Sequence, residues 1–280
     1  MMTRIKSAFE HEGYRVEFKR SSLEERLKSA GRNGYSLFFM QDPFHDRALN
    51  LRRAYYYPYW RIENTAERWD FDVARKHYDS GEIDTETAVE WANKWRKWLF
   101  KGKAKEPTKE GVVYVPLQGR LLEKRSFQTA SPVDMIKAVL EHDPERRIIL
   151  GLHPGEEYSP EEMAALESID DANPRVSVQL GGMERVLGVC DYVVTENSSA
   201  ALSGFFFHKP AILFAKIDFH HIGLNVADIG VAQAFERVAG HRPGYDAYLY
   251  WFIQLNAIKA DDEKAEADII KAARRCGWQV

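Results

Sequence analysis

The 280-residue chain is 45% hydrophobic and 29% charged, with a formal net charge of -3 at pH 7 and a pI near 6.3. That balance suits an ordinary globular core and gives no overall attraction to nucleic acid or to an anionic membrane. Two cysteines, Cys190 and Cys276, are too few for a disulfide framework, form no Cys-x-x-Cys metal spacing, and read as reduced thiols in a cytosolic protein. The stretch Met1 to Ser7 lacks the apolar core of a signal peptide. The best candidate for a membrane span, Ala247 to Ile258, is short and interrupted by Gln254 and Asn256. The expected location is cytoplasmic, with peripheral attachment left open.

In chain order, the alternation of Tyr14 to Phe18 predicts a half-buried strand and Tyr35 to Met40 a more buried one, with a helix from Ser22 to Gly31 between them. The second strand ends in a turn holding Asp42, His45 and Asp46, which could serve as acid, base or ligand. The plainer alternative is that Asp42 and Pro43 build the turn. Leu51 to Trp60 is the densest aromatic run and carries Arg52 and Arg53. Flat rings and guanidinium forks suit a sugar or an anionic group, and they equally suit a packed interface. Ile62, Ala66, Trp69 and Val73 recur at helical spacing, as do Ala88, Ala92, Trp95 and Leu99, with Asp84 or Thr85 capping the second helix. Lys101 to Gly111 loses all apolar periodicity and is the expected linker.

Beyond the linker the pattern becomes regular. Short apolar runs at Val112 to Val115, Ile148 to Leu150, Val176 to Val178, Tyr192 to Thr195 and Ala211 to Phe214 alternate with helical segments. Ser131-Pro132 and the capping box Ser159-Pro160-Glu161-Glu162 open two of those helices. Such alternation over short links implies right-handed crossovers and a parallel sheet, a Rossmann-like domain. The tail adds a helical face with Tyr248, Trp251, Phe252, Leu255 and Ile258, then a charged helix from about Asp261 to Arg275. The expected divisions are an α/β lobe with aromatic-rich helices over 1–108, a Rossmann-like domain over 109–240, and C-terminal helices over 241–280 that pack back on the lobes.

Chemistry concentrates at the strand tips. Asn197-Ser198-Ser199 lies where a strand ends and a helix begins, so hydroxyls and free backbone N–H groups can converge on an anion; a plain serine N-cap is the alternative. His153-Pro154 lies at a neighbouring tip, where an imidazole can protonate or hydrogen-bond a leaving phosphate. No Gly-x-Gly-x-x-Gly or P-loop occurs, which argues against the usual dinucleotide enzymes and ATPases. No acidic or histidine cluster has ligand spacing, so neither a metal nor a cofactor is expected. His220-His221 reads as loop or cleft lining.

Val113-Tyr114-Val115-Pro116-Leu117-Gln118, Ser131-Pro132, His153-Pro154, Val194-Thr195-Glu196-Asn197-Ser198-Ser199 and Lys209-Pro210-Ala211-Ile212 together resemble the capsule polysaccharide biosynthesis and export proteins that transfer Kdo from CMP-Kdo. The resemblance spans about residues 112–225. It implies a two-lobed GT-B-like fold and a CMP-sugar donor, although the first lobe here, helix-rich and about 110 residues long, is small for a complete Rossmann lobe. The acceptor would be a glycan or glycolipid, and the setting capsule assembly at the inner membrane. By it, His153 contacts the CMP phosphate and assists its departure, Pro154 packs near the cytosine, Ser198 and Ser199 hold the phosphate, and Gln118 lines the cleft. This sequence departs from the family at Gly151, where a lysine is usual, and at Leu122 and Glu123, near where an aspartate base is expected. Glu123, Asp42 or His45 would then supply the base. Two further readings stay open: a non-catalytic sugar-binding or assembly protein on the same fold, and a UDP-sugar enzyme such as an epimerase in which Glu196 grips the ribose.

Overall fold

A computed structural model describes residues 1–101 and 107–280. Among the described residues ten strands form: β1 Ser36–Phe39, β2 Ala48–Arg53, β3 Tyr59–Glu63, β4 Val112–Leu117, β5 Arg147–Leu152, β6 Val176–Leu180, β7 Tyr192–Thr195, β8 Ala211–Leu213, β9 Leu224–Asn225 and β10 Ile258–Lys259. The chain divides into two compact units, one of residues 1–77 with 251–280 and one of residues 78–250.

The second unit holds the continuous apolar runs, which form strands buried on both faces. Every residue of β4, β7 and β8 is buried, as the strands of a parallel sheet covered by helices must be. The sheet runs β6-β5-β4-β7-β8-β9 with every pair parallel. Counted from the unit's first strand this is the order 3-2-1-4-5-6, the doubly wound arrangement whose direction of winding reverses between its first and fourth strands, here β4 and β7. The fold is therefore α/β with a Rossmann-like parallel sheet. Helix starts follow their predicted signals. Ser131 accepts from the Asp134 N–H ahead of helix Pro132–His142, and Ser159 and Glu162 complete both arms of a capping box ahead of helix Pro160–Ala172. Val133, Ile136, Val139 and Leu166 close the core over the sheet.

At the amino edge of the same sheet a polar knot ties three strands. Arg146 donates to Asp191 at 2.7 Å and to Asp143 at 2.9 Å, and Tyr192 donates to Asp143 at 2.6 Å. Burial alone would raise the Asp143 carboxyl, but bonds from Tyr192 and Arg146 outweigh it and hold the group below the usual carboxylate range.

The first unit pairs its strands β1-β2-β3-β10, with β1 parallel to β2 and the other pairs antiparallel. Helix Met2–His11 and helix Ala265–Arg275 supply Ile5, Phe9, Ile269 and Ala273 to its core. Here the sequence expectations need correction. Tyr14 to Phe18 forms no strand, since no neighbouring strand pairs with it and Phe18 is exposed. The spacing of Ile62, Ala66, Trp69 and Val73 does not make a helix: Ile62 lies in β3, and only a 3-10 turn over Arg68–Asp70 and a short helix over Asp72–Arg75 follow. Ile258 sits on a strand rather than on the helical face of the tail, which is α-helix over Tyr245–Leu249 and π-helix over Tyr250–Leu255.

The unit limits also differ from the expected divisions at 108/109 and 240/241. Helix Thr85–Leu99 belongs to the second unit because Trp91 stacks on Phe206 and meets the Tyr250 ring edge-on, while Phe100 packs on Phe207. The C-terminal segment from Trp251 belongs to the first unit because β10 pairs with β3. Of the predicted linker, residues 102–106 lie outside the described residues. No helix among the described residues is long and apolar enough to cross a membrane.

Candidate functional site

In an open α/β sheet the carboxyl ends of strands on either side of the reversal leave a crevice that backbone pairing does not fill. Here the β4–β7 ladder stops at Tyr114 and Val193, short of both tips. Pro116 has no N–H to continue it, and the Thr195 hydroxyl instead donates to the Pro116 carbonyl at 3.3 Å. Beyond that point the strands part around a hollow of about 220 Å³ lined by Pro116, Leu117, Gln118, Arg125, Pro132, Met135, Thr195 and Glu196.

His153 follows β5, on the other side of β4. Its backbone N–H donates to the Tyr158 hydroxyl at 2.9 Å, and that hydroxyl donates to the Leu117 carbonyl at 3.3 Å, so Tyr158 ties the β5 tip to the β4 tip. The Gly155 N–H donates to His153 Nδ1 at 3.1 Å. An Nδ1 that accepts leaves the proton on Nε2, so the exposed ring presents an N–H donor to solvent. Pro154 is exposed beside it, near Gly181 at the tip of β6.

On the β7 side, Ser198 is buried and caps helix Ser199–Phe205 through the Ala200 N–H at 3.3 Å. The plainer reading of that serine therefore describes its hydroxyl, whereas Ser199 is exposed and Asn197 half-buried. The structure thus brings Gln118, His153, Pro154, Glu196, Asn197, Ser198 and Ser199 to the carboxyl ends of three adjacent strands.

Gly151 explains the departure from the resembling family. A Cβ at this position would lie 2.7 Å from both Cε2 and the hydroxyl oxygen of Tyr114, which is 3% exposed. The tyrosine of β4 occupies the room that a side chain on β5 would need.

The remaining predicted residues have other surroundings. Glu123 is exposed in a turn and paired with Arg120 at 3.6 Å. Asp42 accepts the Ala66 N–H at 3.0 Å, as a turn-building aspartate does. His45 lies 2.9 Å from the Ser29 hydroxyl with its ring against Phe38 and Phe44, and burial, with help from Arg47, lowers its pKa. Arg52 and Arg53 end β2, where Arg53 lies over the Trp60 ring. The His220 and His221 rings stack at 4.3 Å in a loop rather than pointing apart. Among the described residues no group of three His, Cys, Asp or Glu could hold a metal.

Two residues near Glu196, Arg125 and Gln128, carry no sequence signal. The segment after β4 is pinned by Glu162, which accepts the Leu121 N–H, and by the Thr129 N–H donating to Phe214. That places the turn Arg125 to Gln128 beside the β7 tip, with the Arg125 N–H donating to Gln128 Oε1 at 2.6 Å. Glu196 is 5% exposed, and neither carboxyl oxygen has a hydrogen-bond partner. Burial pushes its pKa up to about 8, against the opposing pull of Arg125 and the Gln128 amide. At neutral pH Glu196 therefore holds its proton.

No protein-family model matches the chain, and no curated protein matches it. Among solved structures, KpsC of Thermosulfurimonas dismutans, described as a beta Kdo 2,7 transferase, is 18% identical with a TM-score of 0.49, covering 80% of this chain and 78% of that one. A second KpsC structure from that organism, a beta Kdo 2,4 transferase, is 16% identical with a TM-score of 0.44, covering 72% and 70%. UDP-GlcNAc 2-epimerase from Neisseria meningitidis is 10% identical with a TM-score of 0.32, covering 68% and 52%.

Proposed function

We propose that the chain is a glycosyltransferase that takes an acidic sugar from a CMP-sugar donor and passes it to a glycan or glycolipid hydroxyl. The observation that carries this reading is the juxtaposition of the His153 and Asn197 to Ser199 tips on β5 and β7, either side of the tip of β4. Two strand spacings amount to about 10 Å, the span of a nucleoside monophosphate. The donor phosphate then sits between the imidazole and the residues that open helix Ser199–Phe205, with the Ser199 hydroxyl toward it.

In this scheme the Nε2–H of His153 hydrogen-bonds the phosphate oxygen that departs from the sugar. A donor placed where charge develops lowers the barrier more than it strengthens ground-state binding. The acceptor hydroxyl loses its proton to a carboxylate. Asp42 and His45 already have structural partners; Glu123, which is exposed and in a 3.6 Å ion pair with Arg120, is the proposed base. The non-catalytic alternative is favoured by one observation, that the Ser198 hydroxyl is spent on its helix. A protonated, buried Glu196 is unlike the ionised carboxylate that a ribose grip requires, which disfavours the UDP-sugar alternative. Capsule assembly and attachment at the inner membrane belong to the same proposal.

The test is release of CMP from CMP-Kdo and CMP-sialic acid, measured with and without polysaccharide acceptors. Release by the wild type and a loss of about 100-fold in His153→Ala, the lower end for removing a general acid, are expected. Release that is absent throughout, or undiminished in His153→Ala, refutes the transferase reading.

A further inference from the structure

The hollow at the tips of β4 and β7 contains buried polar groups that the mechanism above does not use. Native proteins pair nearly all such groups, so a cluster of orphans beside a cavity marks a place for a ligand. Four atoms here lack hydrogen-bond partners: both Glu196 carboxyl oxygens, Arg125 Nε and Gln128 Nε2. Arg125 and Glu196 line the hollow, and the Gln128 amide lies beside the Glu196 carboxyl.

We propose that this hollow is a carboxylate subsite, in which the Arg125 guanidinium supplies the charge and Glu196 donates a carboxylic O–H to the bound carboxylate, with the Gln128 amide beside Glu196. Both lining groups donate once Glu196 is protonated, so they suit an acceptor with several lone pairs and no proton of its own. The charge count selects a monoanion. Arg125 is the charged group acting on Glu196, and one cation balances a carboxylate but not a phosphate dianion.

Glu196 faces Arg125 and Gln128 from the segment after β4, Gln118 from the β4 tip, and the uncharged Pro132 and Met135 from helix Pro132–His142. Beyond the end of β8, the Ala215 backbone N–H holds the Glu196 carbonyl at 3.2 Å. The hollow is too small to enclose a whole ligand. It takes one group of a larger molecule. In the transferase reading, on which this identification rests, that group is the carboxylate of the acidic sugar, while its phosphate lies at Ser199.

A sign follows from the chemistry. Raising the pH through about 8 ionises Glu196, removes the O–H donor and sets a carboxylate against the bound one, so affinity falls. Glutamine keeps an N–H donor at every pH.

The experiment is calorimetric titration of the protein with free Kdo, free sialic acid and their neutral methyl esters, at about pH 6.5 and pH 9. The wild type is expected to bind an acid at least tenfold more tightly than its ester, and to lose about tenfold in acid affinity at the higher pH, the protonated fraction then left to a group titrating near 8. Glu196→Gln is expected to show no such loss, and Arg125→Gln to bind the acids weakly at both values. Equal binding of acid and ester, a pH-independent wild type, or a Glu196→Gln variant that loses affinity as the wild type does would each overturn the subsite. Melting temperatures confirm that the variants are folded. CMP binding is measured in parallel: its retention when acid binding fails leaves the transferase reading in place, and the reverse outcome removes that reading while keeping the subsite.

Discussion

Replacing Glu196 with glutamine is expected to make the protein more stable than the wild type above about pH 5, with the difference growing to on the order of 4 kcal/mol by about pH 8.5. Burial raises the Glu196 pKa from 4.5 to about 8 in the folded chain. The unfolded chain releases its proton near 4.5, whereas the folded chain holds it until about 8. Each pH unit between those values therefore favours unfolding by about 1.4 kcal/mol. The stabilising contribution of the raised group is complete below the unfolded pKa and is lost as pH rises through the folded one. Above that point both states are ionised and the difference levels off. Glutamine does not titrate and keeps the size of the acid, so its stability curve lacks this slope. Urea denaturation of both proteins between about pH 5 and 9 reads the effect directly. Parallel curves would show that Glu196 is ionised in the folded protein.

The second large effect concerns Gly151. Installing the lysine that the resembling family carries there is expected to destabilise the protein by about 3 kcal/mol, since a Cβ meets the buried Tyr114 ring at 2.7 Å. Overfilling a packed interior costs typically 1–3 kcal/mol, and a long side chain lies at the upper end. Truncating the tyrosine removes the obstacle. In a Tyr114→Ala background the same Gly151→Lys change is expected to cost less than about 1 kcal/mol, a coupling of the kind double-mutant cycles detect between touching residues. An equal cost in both backgrounds would place the obstacle elsewhere.

These two residues also show what a sequence can disclose. The second unit was legible because Val112 to Leu117 and Tyr192 to Thr195 are runs buried on every side, and helices begin at serines whose caps act locally, as Ser131 and Ser159 do. The tips that carry His153 and Ser199 came with them. The first unit was less legible because its strands hide charge. Arg61, Glu63 and Asn50 are all buried, satisfied by partners such as the Phe252 carbonyl, Arg275 and the Thr65 carbonyl. Those partners are mostly distant in the chain, so no local pattern announces that β2 and β3 are strands. The same return of the C-terminus, through β10 on β3, hides the division into units.

At the site, Gly151 registered as an absent charge, and only the position of Tyr114 gives the reason. Glu196 stood out as a carboxylate at a strand tip, but its burial depends on Arg125, Pro132 and Met135 gathering around it. Arg125 and Gln128 reach it through a turn held by Phe214 and Glu162, and nothing nearby in the chain marks them.

Calorimetric titration with CMP tests most directly whether the tips of β4, β5 and β7 form one nucleotide site. Saturable binding of one CMP per chain, weakened at least tenfold by His153→Ala and again by Ser199→Ala, is the predicted result. Absence of CMP binding at millimolar concentration, or an affinity that neither substitution changes, would contradict it.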